Sequence, residues 1–573
     1  MQKTKAMKRL LPIARGEKPA QLLFKNGEIL DVFNGVLHRQ KVALSDGIIV
    51  GIGDNYRAKK EIDLEGRILA PGFFDSHLHL ESSMVGVGEF ARRVIPQGTT
   101  TIFPDPHEIA NVAGTAGIEY LRRAALKYPW NLNLMLPSCV PASPFSTPGA
   151  KIGAEELSSM IGKEGVFGLG EMMNSSGVIN GDPDIWDKIS MAHNLYIDGH
   201  APGLSGPELN AYLLAGIKSD HETTTVNEVQ EKLERGMYIM LREGSAARNL
   251  DTLLPAVKSS NRERFMLATD DLQANDLISR GHINHLLKKV VEAGHDPLDA
   301  IKMATINPAR AFGLEGTGAI APGYRADLAV INNFSSWSIH AVYKDGVLVA
   351  KRGKSLFSNQ DPKPPAAVID SVKMAKLTME DFLLPQGRRF RVIRLLPDEI
   401  ITRGEVEELE VVDGRAISEN DDLNSLAVVE RHQASGRVGL GLLRGMGLKR
   451  GAIASSVAHD DHHLIVAGTN PQDMLQAVRK IEEMQGGLAV SCEGKVLASL
   501  ALPLGGLMSD QSLEKTAENL IRLTKKTKEL GCKHDSPFMA LSFLALPVIP
   551  ELKLTDRGLF DSLNFKKVPL IVD

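Results

Sequence analysis

At 573 residues the chain exceeds one ordinary domain, and about two to four are expected. Charged residues at 24% and hydrophobics at 43% describe a soluble globular protein, and a formal net charge of -4 argues against a nucleic-acid backbone as the main partner. The three cysteines, Cys139, Cys492 and Cys532, are far apart, which excludes a disulfide framework and a cysteine-rich zinc site and points to a reducing, cytoplasmic setting.

The chain opens on a basic stretch, MQKTKAMKRLLPIARGEKPA, whose longest apolar run, Leu10 to Ala14, is broken by Pro12. A secretory signal needs ~7–15 apolar residues in a row, so none is expected here. No run of about 18 apolar residues occurs either, so no membrane span is expected. From residue 20 to 70 the strings QLLFKNGEILDVFNG, KVALSDGIIVGIG and KEIDLEGRILAPG read as short strands separated by Gly, Asn and Asp turns. The same texture returns in RADLAVINNFSSWSIHAVYKDGVLVAKRGKS. Residues 1–70 and 336–365 are therefore expected to form one small β domain around an insertion.

Within residues 71–335 the rhythm changes. Eight apolar strands end in polar residues: GFFDSHLHL, TTTIFPDPHE, NLNLMLPSC, VFGLGEM, NLYIDGHA, IKSDHE, YIMLREGS and FMLATDD. Helical stretches such as GTAGIEYLRRAALKYP and NEVQEKLERG lie between several of them. Eight such units predict an α/β fold, a (β/α)8 barrel, with its active site at the C-terminal ends of the strands. After the Pro-rich joint PKPPAAV, residues 366–573 read as a C-terminal α+β domain. It holds strands such as RFRVIRLL, EELEVVDGR, HLIVAGT and GLAVSCEGKVLASLALP. It also holds a helix, NPQDMLQAVRKIEEM, capped by Asn470 with Pro471 at its first position. The Gly-rich GLGLLRGMGLKRG lacks the GxxxxGK[ST] spacing of a phosphate loop and reads as turns.

The chemistry gathers at the strand ends. His77 and His79 close strand one, and alternate residues of a strand share a face, so both imidazoles can reach one ion. A lone HxH is equally a pair of hydrogen-bonded histidines. Glu171 after strand four, His200 after strand five, His221 after strand six and Asp270 after strand eight add to it. Histidines scattered for structural reasons have no cause to fall repeatedly at one rim. A His and carboxylate set without thiolate suits Mn, Fe(II) or Zn. Six ligands exceed what one tetrahedral ion uses, so two divalent ions are expected, with Glu171 as the bridge and Asp270 as the proton acceptor.

The HxH after strand one, the histidines after strands five and six and the Asp after strand eight resemble the amidohydrolase superfamily. Many members bridge their metals with a carbamylated lysine on strand four; FGLGEMMN has no lysine, and Glu171 stands in its place. The longer strings PGFFDSHLHLESSM, FPDPHEIANVAG, GLGEMMN, DGHAPGLSG, SDHETT, REGSAARNL and LKRGAIASSVAHDDHH together resemble the bacterial adenine deaminases within it. That resemblance covers nearly the whole chain. It implies adenine as a small-molecule substrate, hypoxanthine and ammonia as products, and Mn or Fe(II) ahead of Zn. The chemistry of the ligands alone says nothing of a purine. The zinc nucleobase deaminases that pair H-x-E with PCxxC have no counterpart here, since no PCxxC exists and His79-Leu80-Glu81 matches only the first half.

Further rim residues carry two readings each. His107 and Glu108 after strand two could touch the purine or relay protons, or simply bond within their loop. Arg242, Glu243 and Ser245 close strand seven; Arg242 and Ser245 could read ring nitrogens and Glu243 could protonate N1, or Arg242 and Glu243 could pair to stabilise the rim. His282 and His285, on a helix after strand eight, read as structural. In the third domain His459, Asp460, Asp461, His462 and His463 form a dense polar cluster, either a solvated turn or a segment that covers the substrate. It departs from the family pattern at Asp461 and His463, where that pattern has Ser and Asn. Two rival functions remain open from sequence: another amidohydrolase reaction such as cyclic amide hydrolysis, and an inactive barrel kept as a scaffold. A homo-oligomer is expected.

Overall fold

The computed structural model of the chain describes residues 2–396, 401–417 and 422–572. A helix, Gln2–Ala14, precedes the small β domain, in which two sheets face each other. One sheet has four strands in the order Ile48–Ile52, Val42–Ser45, Ala20–Lys25, Ala58–Asp63. The other has seven and takes strands from both sides of the barrel: Ile68–Pro71 pairs antiparallel with Leu328–Ile331. Phe24, Val42 and Leu44 of the first sheet pack on Leu69, Leu328 and Tyr343 of the second. The returning segment therefore begins by Leu328, ahead of residue 336, because Leu328–Ile331 pairs with this sheet instead of closing the barrel.

Between those two strands the chain winds a parallel barrel. Its strands in order are Phe73–Leu78, Thr99–Pro104, the pair Asn131–Leu132 and Leu134–Leu136, Val166–Met172, Tyr196–Gly199, Ser219–Asp220, Tyr238–Arg242 and Phe265–Ala268. Neighbours run parallel throughout. Where regular pairing lapses, single backbone bonds carry the ring on: Asn133 N–H to Ile102 O at 3.0 Å and Lys218 N–H to Ile197 O at 3.2 Å. Strand eight meets strand one through Asp270 N–H to His77 O at 3.0 Å, which closes the barrel. Phe74, Phe103, Met135, Tyr196, Met240 and Met266, from six different strands, pack together with Phe312. Side chains from so many strands can meet only inside the barrel, and they plug it as a dry core.

The C-terminal domain is built on an eight-stranded sheet in the order Thr402–Glu408, Arg389–Leu395, Val438–Arg444, Leu423–Val429, Leu464–Gly468, Ala452–Ser455, Gly487–Cys492, Lys495–Ala501. Alternation gives its central strands two buried faces. Ala452, Ala454 and Val466 pack under helix Pro471–Glu483 through Met474, Ala477 and Ile481. Ile453 and Ile465 face the opposite way and join the large core that continues into the barrel. Asn470 caps that first helix by accepting the Asp473 N–H at 2.9 Å.

The string read from sequence as turns contains Val438–Arg444, a strand inside this sheet, paired on both edges. Its glycines are there for close packing. A Cβ on Gly439 would stand 1.9 Å from the Thr555 carbonyl oxygen, so the hairpin Leu552–Thr555 and Gly558–Asp561 can lie on the strand only where side chains are missing. Helix Leu513–Glu529 was likewise not anticipated.

The C-terminal domain sits on the barrel's C-terminal rim. Ser509 N–H bonds Met84 O at 2.9 Å, Thr147 N–H bonds Asp556 at 2.9 Å, and Ser146 bonds Asp461. Arg431, fully buried, organises the segment that reaches the rim by donating to the carbonyls of Ser371 at 3.2 Å, Gly505 at 3.0 Å and His462. Burial pulls its guanidinium down to about 9. Arg431→Met would leave those buried carbonyls unpaired at ~1–3 kcal/mol each. A lowered thermal midpoint with an early transition in the C-terminal domain is expected, read by differential scanning calorimetry and limited proteolysis; an unchanged midpoint would remove Arg431 from this role.

Candidate functional site

The six expected ligands come together above the apolar plug. His77 Nδ1 donates to Asp198 Oδ2 at 2.9 Å, and His79 Nδ1 donates to the Asp105 carbonyl at 2.9 Å. Carboxylate and carbonyl oxygens only accept, so each ring spends its Nδ1–H on that bond and turns Nε2 to the cluster, and these two nitrogens lie 3.1 Å apart. Glu171 Oε1 stands 3.3 Å from His79 Nε2 and 3.8 Å from His77 Nε2. Its Oε2 stands 2.6 Å from His200 Nδ1 and 3.4 Å from His221 Nε2. Asp270 Oδ1 lies 3.1 Å from His79 Nε2 and 3.6 Å from His77 Nε2, while its Oδ2 accepts from Arg242 at 2.9 Å.

These residues fit a divalent cation. Two imidazole nitrogens faced by two carboxylates form a cage of lone pairs, and a positive charge is what satisfies it. The electrostatics agree. Burial opposes charge on His79 and His221, yet Asp270 and Glu171 drive both upward, His221 to about 10. Burial likewise disfavours the ionised carboxyls, but the facing imidazoles hold Glu171, and Arg242 with the imidazoles holds Asp270, well below the usual carboxylate range. The cluster thus demands cations at neutral pH. The split of Glu171 is informative: one oxygen faces the strand-one histidines and the other faces those of strands five and six.

A second layer holds these ligands. Asp198 is fixed by Gly199 N–H at 2.9 Å and Ser219 Oγ at 2.5 Å, so it presents a set oxygen to His77. Asp105 Oδ2 accepts the Glu171 N–H at 3.0 Å; a Cβ on Gly170 would come within 2.0 Å of that oxygen, so only glycine fits there. Lys232, fully buried, bonds the Ala201 carbonyl at 2.7 Å and Asp220 at 2.9 Å, tying together the neighbours of His200 and His221. Asp75 accepts from Thr269 N–H at 3.1 Å and lies 3.0 Å from His282 Nε2. With its Nδ1 2.8 Å from Thr99 Oγ1, His282 is a buried structural brace between strands one and two.

The remaining rim residues divide. Arg242 reaches the cluster, but as a clamp on Asp270 and on both oxygens of Glu222. Its two terminal nitrogens are committed to carboxylates, which turns the guanidinium to holding Asp270 and Glu222 and not to the ring contact expected of it, while its Nε has no partner. Glu222 lies 3.7 Å from His221 Nε2 and 3.9 Å from His200 Nδ1, at the edge of the site. Glu243 turns the other way: its Oε1 takes Lys289 at 2.6 Å, which removes it from the position needed to protonate N1. Ser245 Oγ donates to Asp276 at 2.6 Å and accepts from Gln273 N–H at 2.9 Å, so it shapes the loop after strand eight and does not face the cluster. His107 Nδ1 lies 3.4 Å from Glu171 Oε1 and is part of the site. Glu108 pairs across the domain boundary with His459 Nδ1 at 2.8 Å, one face of a roof formed by residues 455–463, all buried.

Glu222, Asp198 and Asp105 were missed from sequence although each adjoins a named strand end. Asp198 stands two residues before His200, on its strand face, and that spacing was the available signal. Asp198→Ala should weaken metal retention by ~10–100-fold, the usual cost of losing such a support. Glu243→Gln should leave it unchanged. Chelator competition on both proteins checks this, and equal retention in Asp198→Ala and the parent would show that the His77 orientation is set elsewhere.

Residues 68–349 match the amidohydrolase family and residues 399–566 match the adenine deaminase C-terminal domain. A protein named adenine deaminase from Petrotoga mobilis is 50% identical over 571 residues, spanning 99% of this chain and 100% of its own. Adenine deaminase 2 of Carboxydothermus hydrogenoformans is 47% identical over 99% of this chain and 100% of its own, and an adenine deaminase of Methanothrix thermoacetophila is 45% identical over 98% and 99%. Both domain matches and full-length identity of this order lead to one conclusion: the chain belongs to the adenine deaminase family of the amidohydrolases.

Proposed function

We propose that the protein hydrolyses adenine to hypoxanthine and ammonia, with two divalent ions, Mn or Fe(II), held by His77, His79, Glu171, His200, His221 and Asp270. The observation that carries the reading is an intact cage of these six side chains in a chain 50% identical, end to end, to a protein named adenine deaminase. An inactive scaffold would have no need to keep every ligand in place.

Replacing the C6 amino group by oxygen needs a deprotonated water, a proton at N1 and a proton on the departing nitrogen. Bound divalent ions supply a water acidic enough to ionise at neutral pH. The rest falls to side chains. Asp270 is ionised and pinned through Oδ2 by Arg242, so Oδ1, which faces the His79 and His77 imidazoles, is the oxygen that can take a proton and return it to the amine nitrogen. Glu222, clamped by the same guanidinium, is the carboxyl at the site's edge that can hold the N1 proton in place of Glu243. His107, against Glu171, borders the space on the opposite side.

Glu171→Gln should lose metal and activity together, since a neutral amide bridges poorly. Asp270→Asn should keep most metal and lose turnover by ~10²-fold or more, the usual size of an acid–base contribution. Elemental analysis of the purified protein and ammonia release from a panel of aminopurines and cyclic amides test the reading. Release from adenine ahead of every cyclic amide is expected; an active protein without transition metal, or a preference for a cyclic amide, would overturn it.

A further inference from the structure

The roof over the barrel contains five consecutive polar residues, all buried: His459, Asp460, Asp461, His462 and His463. Three of the other four, His459, Asp461 and His462, are anchored by a close polar contact, and His463 lies near a carboxylate. His459 Nδ1 is paired with Glu108 at 2.8 Å and its ring lies on Phe543, centroids 4.8 Å apart. Asp461 accepts from Ser146. His462 Nδ1 accepts the Ala458 N–H at 3.2 Å, and its Nε2 lies 3.6 Å from Glu108. His463 Nε2 sits 3.5 Å from Asp556.

Asp460 differs. It is 3% exposed, and its Oδ2 has no hydrogen-bond partner. Its other oxygen lies 4.0 Å from His107 Nε2 and 3.9 Å from His459 Nδ1, both beyond hydrogen-bond reach. His107 in turn touches Glu171, so Asp460 faces the catalytic cluster across a single imidazole. A buried carboxyl oxygen left without a donor is unfavourable unless a ligand supplies one.

We propose that the Asp460 carboxylate, carried into the barrel mouth by the C-terminal domain, accepts the imidazole N–H of a free purine base and so selects the base over its 9-substituted forms. This rests on the deamination reading above. With C6 at the ligand cluster and N1 toward Glu222, the five-membered ring of the purine extends to the other flank, where His107 and Asp460 lie. A free purine carries one N–H on that ring, at N9 or N7. A nucleoside or 9-alkylpurine carries none. A site built around such a contact rejects analogues that lack the donor, because its buried acceptor is then left unpaired.

The test compares the metal-loaded parent with Asp460→Asn and Asp460→Ala, reading metal content, adenine KM and kcat, and the inhibition constant of 9-methyladenine. Both variants should keep parental metal. In both, adenine KM should rise about tenfold or more with a smaller change in kcat. 9-Methyladenine should bind the variants at least as well as the parent, so its disadvantage against adenine shrinks. A general loosening of the roof would weaken both ligands alike, and that outcome overturns the assignment, as does an unchanged adenine KM in both variants. Asp460→Asn preserves size, so it remains informative should Asp460→Ala fold poorly. Normal parental turnover with unaltered discrimination removes only Asp460 from this role; a metal-loaded parent that turns over no adenine removes the deamination reading and the assignment with it.

Discussion

Everything at the catalytic centre depends on closing the barrel between its last strand and its first. Asp270 donates its N–H to the His77 carbonyl and accepts the His79 N–H through its own carbonyl, at 3.0 and 3.3 Å. Those two backbone bonds set the last carboxylate against the first two imidazoles. Asp270 accepts a left-handed backbone, φ 54, to do so, a conformation uncommon for a side-chain-bearing residue. The pairing of Asp75 with Thr269 and His282 secures the same seam from below. Without the seam the six ligands would be spread along an open sheet, and no ion would see more than two or three of them.

The second organising feature is the depth of polar support beneath the ligands. Asp198, Asp105 and Lys232 are buried, and each is bonded on several sides, so each fixes a ligand's ring or backbone instead of adding affinity of its own. Buried groups of this kind are tolerable to the extent that they are partnered, as Asp198 and Lys232 are on several sides and Asp105 is through Oδ2. Against the cost of burial, Glu171 and Asp270 are held ionised by imidazole and guanidinium neighbours, which makes the site an anionic sink prepared for cations.

Much of this was legible in the sequence, for physical reasons. Eight short apolar strands, seven of them closing near His, Asp or Glu, announce the barrel and its rim, because a strand's polar terminus has to sit where the barrel opens. Failures followed from two sources. Glu243 was assigned to the site alongside Arg242, but adjacent residues of a strand point to opposite sides, and with Arg242 turned inward Glu243 meets Lys289 outside. Glu222 escapes that parity because its strand, Ser219–Asp220, has already ended. The Gly-rich segment at 438–444 was misread because glycine signals both turns and intimate strand packing, and only the hairpin beyond residue 550 distinguishes them. Contacts between residues hundreds of positions apart, such as Glu108 with His459, leave no local trace.

The roof gives the site a sidedness that bears on how a flat ring travels through it. Residues 455–463 cover the flank of strands one and two, whereas the His200 and Glu222 side chains on the far flank keep 15% and 11% of their surface in solvent. Of the two flanks, the one at His200 and Glu222 is the more open to a planar heterocycle. The deaminated product is as flat as the substrate and has the same open flank before it. A cluster roofed on one side and open on the other sets arrival and departure against each other at the same edge, and hypoxanthine that lingers there stands where the next adenine has to come.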